Sequence, residues 1–244
     1  MSIISEFFYL QQRYQEAEMP CKECVRQLRR QLGDLHYEHL LRVNLLSSIY
    51  SELIDIESNE QLLRSVVPTL VDTNPSESGT GVSSSTGAGT SPADYNLIRL
   101  ILINNFAVIL TAQKNYLDAE KYIETSLSLF RKSFGVNDTR TLAVESNAAI
   151  YSIHARDYIE AEKRLVACLD RQRQILGQSH IDTLNTEFIL GCLLLFRHRY
   201  GEAEPLLVHA YEQMKTSLGR EDEQTQMAGT YLVELLKNLP PNVE

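Results

Sequence analysis

Small positions, large apolar positions and a glycine follow one another along this chain in an order that returns every 42 residues. The clearest marker is Tyr116-Leu117-Asp118-Ala119-Glu120. It recurs as Tyr158-Ile159-Glu160-Ala161-Glu162, as Tyr200-Gly201-Glu202-Ala203-Glu204, and near the N-terminus as Tyr14-Gln15-Glu16-Ala17-Glu18. Nine residues before each Tyr the side chain is small: Ser5, Ala107, Ala149, Gly191. Small residues return seven positions after each Ala of the marker, at Cys24, Ser126, Cys168 and Ala210. Larger apolar residues such as Ile123, Leu165 and Leu207 lie between them. The pattern predicts two helices per repeat. Helix A precedes the Tyr and helix B opens at it, and the small positions let the two cross closely.

The ends of helix B are also written in the pattern. Asp118, Glu120, Glu160, Glu162, Glu202 and Glu204 put negative charge in its first turn, where the helix dipole favours it. Pro205 falls in or near that turn, and Pro20, one position later, predicts a local distortion. Nineteen residues after each Tyr comes Gly33, Gly135, Gly177 or Gly219, predicted to cap helix B in a left-handed conformation.

A degenerate copy fits between the first and third repeats. Ser47 takes the small position of helix A and Leu63 the large position of helix B. Ile56 stands for the Tyr, Asn59 for the Ala and Pro75 for the Gly. The Tyr14–Tyr116 separation exceeds two periods by 18 residues, and a Ser/Gly/Thr-rich segment at 72–92 accommodates them. That composition predicts a disordered loop. The organisation is therefore N-terminal repeats over 1–71, the first short or truncated and the second degenerate. The loop follows at 72–92, three repeats at 93–220, and a capping helix and tail at 221–244. Glu221 to Leu239 reads as one more helix A, with Val233 at its small position and Pro240-Pro241 stopping it. The short first helix A fits either a frayed cap or a chain that starts inside a larger array.

A period of this length predicts an all-α, right-handed α-solenoid of about five helix-turn-helix repeats plus a C-terminal cap. Composition narrows the partners. The chain has 244 residues, 43% of them hydrophobic, and a net charge of −9. An acidic chain has no general field for phosphate backbones, so nucleic acid is disfavoured. The N-terminus lacks the basic start of a signal peptide. The longest apolar stretch, Ile98 to Leu110, holds Arg99, Asn104 and Asn105 and reads as too short and too polar to enter a membrane. Four scattered cysteines point to a reducing compartment, hence the cytoplasm.

Little in the sequence points to chemistry. Cys21-Lys22-Glu23-Cys24 has metal-ligand spacing, but no second pair completes four ligands, so two core-facing thiols are expected. His36 and His39 share a helix face, and His36 and His180 follow the cap glycines, which favours a capping or surface role. Lys163-Arg164 and Arg171-Gln172-Arg173 read as a solvated basic face. The repeated glutamates read as first-turn charges rather than general acids. Neither a catalytic set nor a cofactor or metal site is expected, and the oligomeric state is not legible.

Helical spacing offers a better candidate. It places Asn44, Ser48 and Glu52 on one inner face, followed in later repeats by Asn104, Val108 and Thr111. Next come Ser146, Ile150 and His154, then Phe188, Cys192 and Leu195, with Asn105 and Asn147 beside them. An Asn amide can bond both the N–H and the C=O of an extended peptide. The partner-binding candidates are therefore Asn44, Ser48, Asn104, Asn105, Val108, Thr111, Ser146, Asn147, Ile150, His154 and Phe188. Phe188 and Phe196 give the floor its apolar end, unless the terminal helix simply covers them.

The run Ile103-Asn104-Asn105-Phe106-Ala107-Val108-Ile109-Leu110 with Lys114-Asn115-Tyr116-Leu117-Asp118-Ala119-Glu120 resembles the tetratricopeptide family. Leu176-Gly177-Gln178-Ser179-His180-Ile181-Asp182-Thr183-Leu184 resembles the inter-repeat segment of its 42-residue, kinesin-light-chain-like variety. The resemblance implies an α-solenoid whose helix A residues take a peptide or partner helix. The lysines that accompany the asparagines in chaperone-tail adaptors are not evident, and neither is the heptad arm of kinesin light chains. A non-catalytic adaptor for proteins or peptides is the expected function. The alternative is the regulatory or sensor region of a larger protein.

Overall fold

The computed structural model describes residues 2–72 and 91–238. At the ends of the expected 72–92 loop, Asp72 and Pro92 are helical and Ser91 is an N-cap; the expectations for 73–90, for Pro75 and for Pro240-Pro241 lie outside the described residues. Twelve helices and no strand occur among the described residues. They are α1 (Ser2–Leu10), α2 (Tyr14–Leu32), α3 (Tyr37–Glu52), α4 (Ile56–Arg64), α5 (Val67–Asp72) and α6 (Pro92–Ala112). Then come α7 (Tyr116–Phe134), α8 (Thr139–His154), α9 (Tyr158–Ile175), α10 (Ile181–Phe196), α11 (Tyr200–Ser217) and α12 (Glu223–Asn238). Each marker Tyr is the first residue of its helix B. The chain divides into two compact units, Met1–Ser126 and Leu127–Glu244.

One turn joins helix A to helix B in all five repeats. Gln12, Ile54, Lys114, Arg156 and His198, each two residues before the Tyr or its substitute, have φ between 57° and 65°. The residue after each sends its N–H back to a carbonyl five residues earlier: Arg13 to Phe8, Asp55 to Tyr50, Asn115 to Leu110, Asp157 to Ser152 and Arg199 to Leu194. The left-handed residue itself donates three residues back, as Ile54 does to Ser51 O at 3.1 Å. This pair of bonds is a Schellman motif, which satisfies carbonyls that the end of helix A leaves open. No glycine marks it, so the pattern of apolar positions did not reveal it. Its presence at Ile54 establishes that the degenerate copy keeps the register.

All four glycines after helix B have positive φ, between 87° and 93°, and at Gly33 the conformation differs from the αL cap the sequence suggested. Gly33 has φ 92° and ψ 168°, a region open essentially to glycine alone. Its N–H still reaches Arg29 O at 3.0 Å. Three residues later the next helix A begins under a side-chain cap. His36 Nδ1 accepts from Glu38 N and His180 Nδ1 from Asp182 N, both at 3.2 Å. Asp138 and Asp222 serve at the equivalent places. The capping role read for His36 and His180 is thus what the structure shows.

In unit 1, α1 packs on α2, α2 on α3, and α3 on α4 and α6. Leu40, Ile49, Leu63, Leu70, Leu100, Ile103, Phe106 and Leu110 are fully buried there. By length and composition α6 could cross a membrane, which corrects the shorter, more polar stretch read from sequence. Its apolar side chains form the core of unit 1 instead, and Arg99, 3% exposed, donates Nε to Leu70 O at 2.7 Å. The degenerate helix B is broken into α4 and α5 at Ser65–Val66; Pro68 has no N–H for the Arg64 carbonyl and its ring crowds that group, so a continuous helix cannot run past Arg64 undistorted. By contrast α2 runs unbroken through Pro20.

In unit 2, α8 to α12 pack each on the next. Ala149, Ala161, Leu165, Leu194, Ala203 and Leu207 share one core. The small positions are needed there: a Cβ on Gly191 would come 2.8 Å from Leu207. Val233, at the small position of α12, is 53% exposed, because no helix B covers it among the described residues.

Candidate functional site

In unit 2 the A helices α8, α10 and α12 line an open cleft of about 410 Å³. Helix α8 contributes Ala143, Ser146, Asn147 and Ile150; α10 contributes Asp182, Asn185, Thr186, Phe188 and Ile189; α12 adds Gln224 and Met227. Gln172 of α9 reaches the cleft from between them. The residues of α8 recur at spacings of three and four, which sets them on one face of the helix. Of the predicted partner-binding residues, Ser146, Asn147, Ile150 and Phe188 come together here. Phe188 is half-buried and meets the Tyr231 ring edge-on, with centroids 5.5 Å apart. The terminal helix therefore covers Phe188 in part. Phe196, 62% exposed, packs against Tyr158. His154 is exposed at the end of α8, and Leu195 is buried.

The unit 1 candidates are arranged differently. Asn105 Nδ2 donates to Asn44 Oδ1 at 3.3 Å, so the two amides partly satisfy one another. Ser48 turns its hydroxyl back onto Asn44 O at 3.2 Å. Thr111 is buried, and its hydroxyl donates to Ala107 O of its own helix at 2.9 Å, which takes it off any binding face. Asn104 is half-buried, while Val108 is 42% exposed on the same helix.

Two buried carboxylates were not found from sequence. Glu145 on α8 is 4% exposed and is held by Arg131 Nη2 at 2.8 Å and by the Arg171 guanidinium. One period later Glu187 on α10, 2% exposed, takes Arg173 at 2.7 Å and His209 Nδ1 at 2.8 Å. Each pairs with an Arg fourteen residues earlier, a repeated offset that was the available signal. Arg171 and Arg173 therefore do not form a solvated basic face, as expected; each is drawn onto a buried carboxylate. Gln172 between them is 1% exposed. The glutamates of helix B also do more than cap. Glu162 binds Arg197 Nη1 and Arg199 Nη1, both at 2.6 Å, tying its repeat to the next turn.

The thiol and imidazole candidates are structural in their surroundings. Cys21 and Cys24 are buried, and Cys21 Sγ donates to Arg42 O at 3.7 Å. Burial pushes Cys21, Cys168 and Cys192 up to about 12, so they stay thiols. His39 is 1% exposed, and its Nδ1 lies 2.8 Å from Asp34 O.

Residues 140–216 match one tetratricopeptide repeat family model, and residues 100–139 match a second. No curated protein matches the sequence. Similar solved structures include two forms of a Podosopora anserina protein described as a putative kinesin light chain with nearly identical TPR-like repeats. One form, a single-substitution variant, is 18% identical at a TM-score of 0.68 over 88% of this chain and 92% of that one. The other is also 18% identical, at 0.66, covering 87% and 92%. BtubC (BKLC) from P. vanneervenii is 13% identical at 0.67, covering 90% and 81%. At these identities the likeness is one of fold, and it agrees with the helix pairs and recurring turns described above. The repeat-family matches, contiguous over residues 100–216, mark that span as tetratricopeptide repeats, in a fold shared with the kinesin-light-chain-like structures above.

Proposed function

We propose that this protein is a non-catalytic interaction module that binds a peptide segment of a partner protein in the unit 2 cleft. Tetratricopeptide repeats generally mediate protein–protein interaction, and the observation that carries the reading to a place is the cleft lined by α8, α10 and α12. Apolar side chains at Ile150, Phe188, Ile189 and Met227 offer area to bury, and the amides of Asn147 and Asn185 can hold a backbone. An extended segment bound in this way gains main-chain hydrogen bonds along its length and specificity from the side chains it inserts. The role is that of a cytoplasmic adaptor.

Quantitative affinity capture tests it, comparing the wild-type chain with the folded double variant Asn147→Ala, Asn185→Ala. Proteins captured by the wild type and lost from the variant support binding in the cleft. Equal capture by both moves the site elsewhere.

A further inference from the structure

We infer that the segment bound in the unit 2 cleft carries a lysine or arginine next to an apolar residue. This rests on the reading of that cleft as the interaction surface and adds the chemistry of its ligand. Among the described residues lining it, Asp182 is the only one with a formal charge. Its neighbour His180 caps α10: Nδ1 accepts the Asp182 N–H at 3.2 Å and stands 3.7 Å from Asp182 Oδ2, beyond hydrogen-bond reach, and the Asp182 side chain is 50% exposed. The cations nearest in sequence are engaged elsewhere: Arg171 holds Glu145 and Arg173 holds Glu187.

The uncharged groups point the same way. Gln172, 1% exposed, contributes to the lining, and its Oε1 has no hydrogen-bond partner among the described residues. A buried acceptor without a donor is costly, which favours a ligand rich in N–H groups. Asn185 likewise pairs with no side chain among the described residues. Beside these lie Phe188 and Met227, the latter 47% exposed, which suit the apolar neighbour or the methylene stem of the cation itself. An acidic segment would meet a lone carboxylate and no compensating cation, in a chain whose net charge is already −9.

A displayed library of random peptides, selected on the full chain, tests this. Recovered peptides are expected to be enriched in Lys or Arg beside an apolar residue. A synthetic representative should lose about fivefold in affinity on Asp182→Asn, the size of a partly exposed charge pair. Selection on Asp182→Lys should replace the basic preference with Asp and Glu. Peptides that need Asn147 and Asn185 but show no basic preference, or bind Asp182→Asn equally well, would overturn the inference and leave the cleft reading standing. Recovery of no peptide, or only of peptides indifferent to Asn147→Ala with Asn185→Ala, would overturn both.

Discussion

Asn59 Nδ2 donates to Ser47 O at 3.0 Å, joining the residue that replaces the repeat's alanine to the small position of its own helix A. Asn59 stands where the other repeats have alanine and is 1% exposed, and the same amide also reaches Ser51 Oγ at 3.1 Å. Its Oδ1 has no partner among the described residues. The gain from two donated bonds and the cost of one orphaned acceptor nearly cancel. Asn59→Ala, the residue of the other repeats, should therefore change stability by no more than about 1 kcal/mol in denaturant unfolding. Asn59→Asp replaces the donor with a buried charge facing Ser47 O and should cost about 3 kcal/mol or more. Equal effects from the two substitutions would show that the amide is not the bridge.

The two kinds of positive-φ turn make opposite predictions. Ile54 has φ 57° and is 79% exposed, so its β-branched side chain bears left-handed strain and contributes little burial. Ile54→Asn should stabilise unit 1 by about 1 kcal/mol, because Asn tolerates this conformation. At Gly177, φ is 92° and an added Cβ would meet nothing within 4 Å, so any penalty is torsional. Gly177→Ala should cost about 1–3 kcal/mol. Thermal melts of the pair, moving in opposite directions, check both.

Glu145 has two guanidinium partners, Arg131 and Arg171, whose side chains are 46% and 26% exposed. Losing one leaves the buried carboxylate paired; losing both leaves it alone. Arg131→Gln with Arg171→Gln should therefore destabilise unit 2 by about 3–5 kcal/mol, well beyond either single change. A double-mutant cycle in denaturant measures the coupling, and simple additivity would contradict it.

Burial holds His39 below its ordinary value of 6.5, against a smaller opposing pull from Asp34 O. The unfolded chain then binds more protons than the folded one as the pH drops past that value. Stability of unit 1 is therefore full above 6.5 and falls as the pH drops through 6.5 toward the lower folded value. His39→Phe should flatten that slope in melts recorded across the window, while the wild type keeps it.

The period carried most of the fold. Small residues such as Ala149 and Ala161 had to recur because two helices cross there, so geometry was printed in composition. The A-to-B turn was not legible, since Schellman bonds satisfy the backbone whatever side chain sits at Gln12 or Lys114. Glu145 and Glu187 were missed because isolated glutamates are usually solvated; only their shared offset from Arg131 and Arg173 told otherwise. In the cleft, Ser146, Asn147, Ile150 and Phe188 followed from helical spacing. Asp182, Asn185 and Gln172 did not, because they converge from the first turns of α10 and from a helix B.

Site-specific photocrosslinking in native lysate decides whether the unit 2 cleft is the binding surface. A photoreactive residue at Gln224, in the cleft, is compared with one at Val208, which is 39% exposed on α11. Crosslinked partner peptides from Gln224 and few from Val208 are the expected result. Adducts that form at Val208 and not at Gln224 would contradict binding in the cleft.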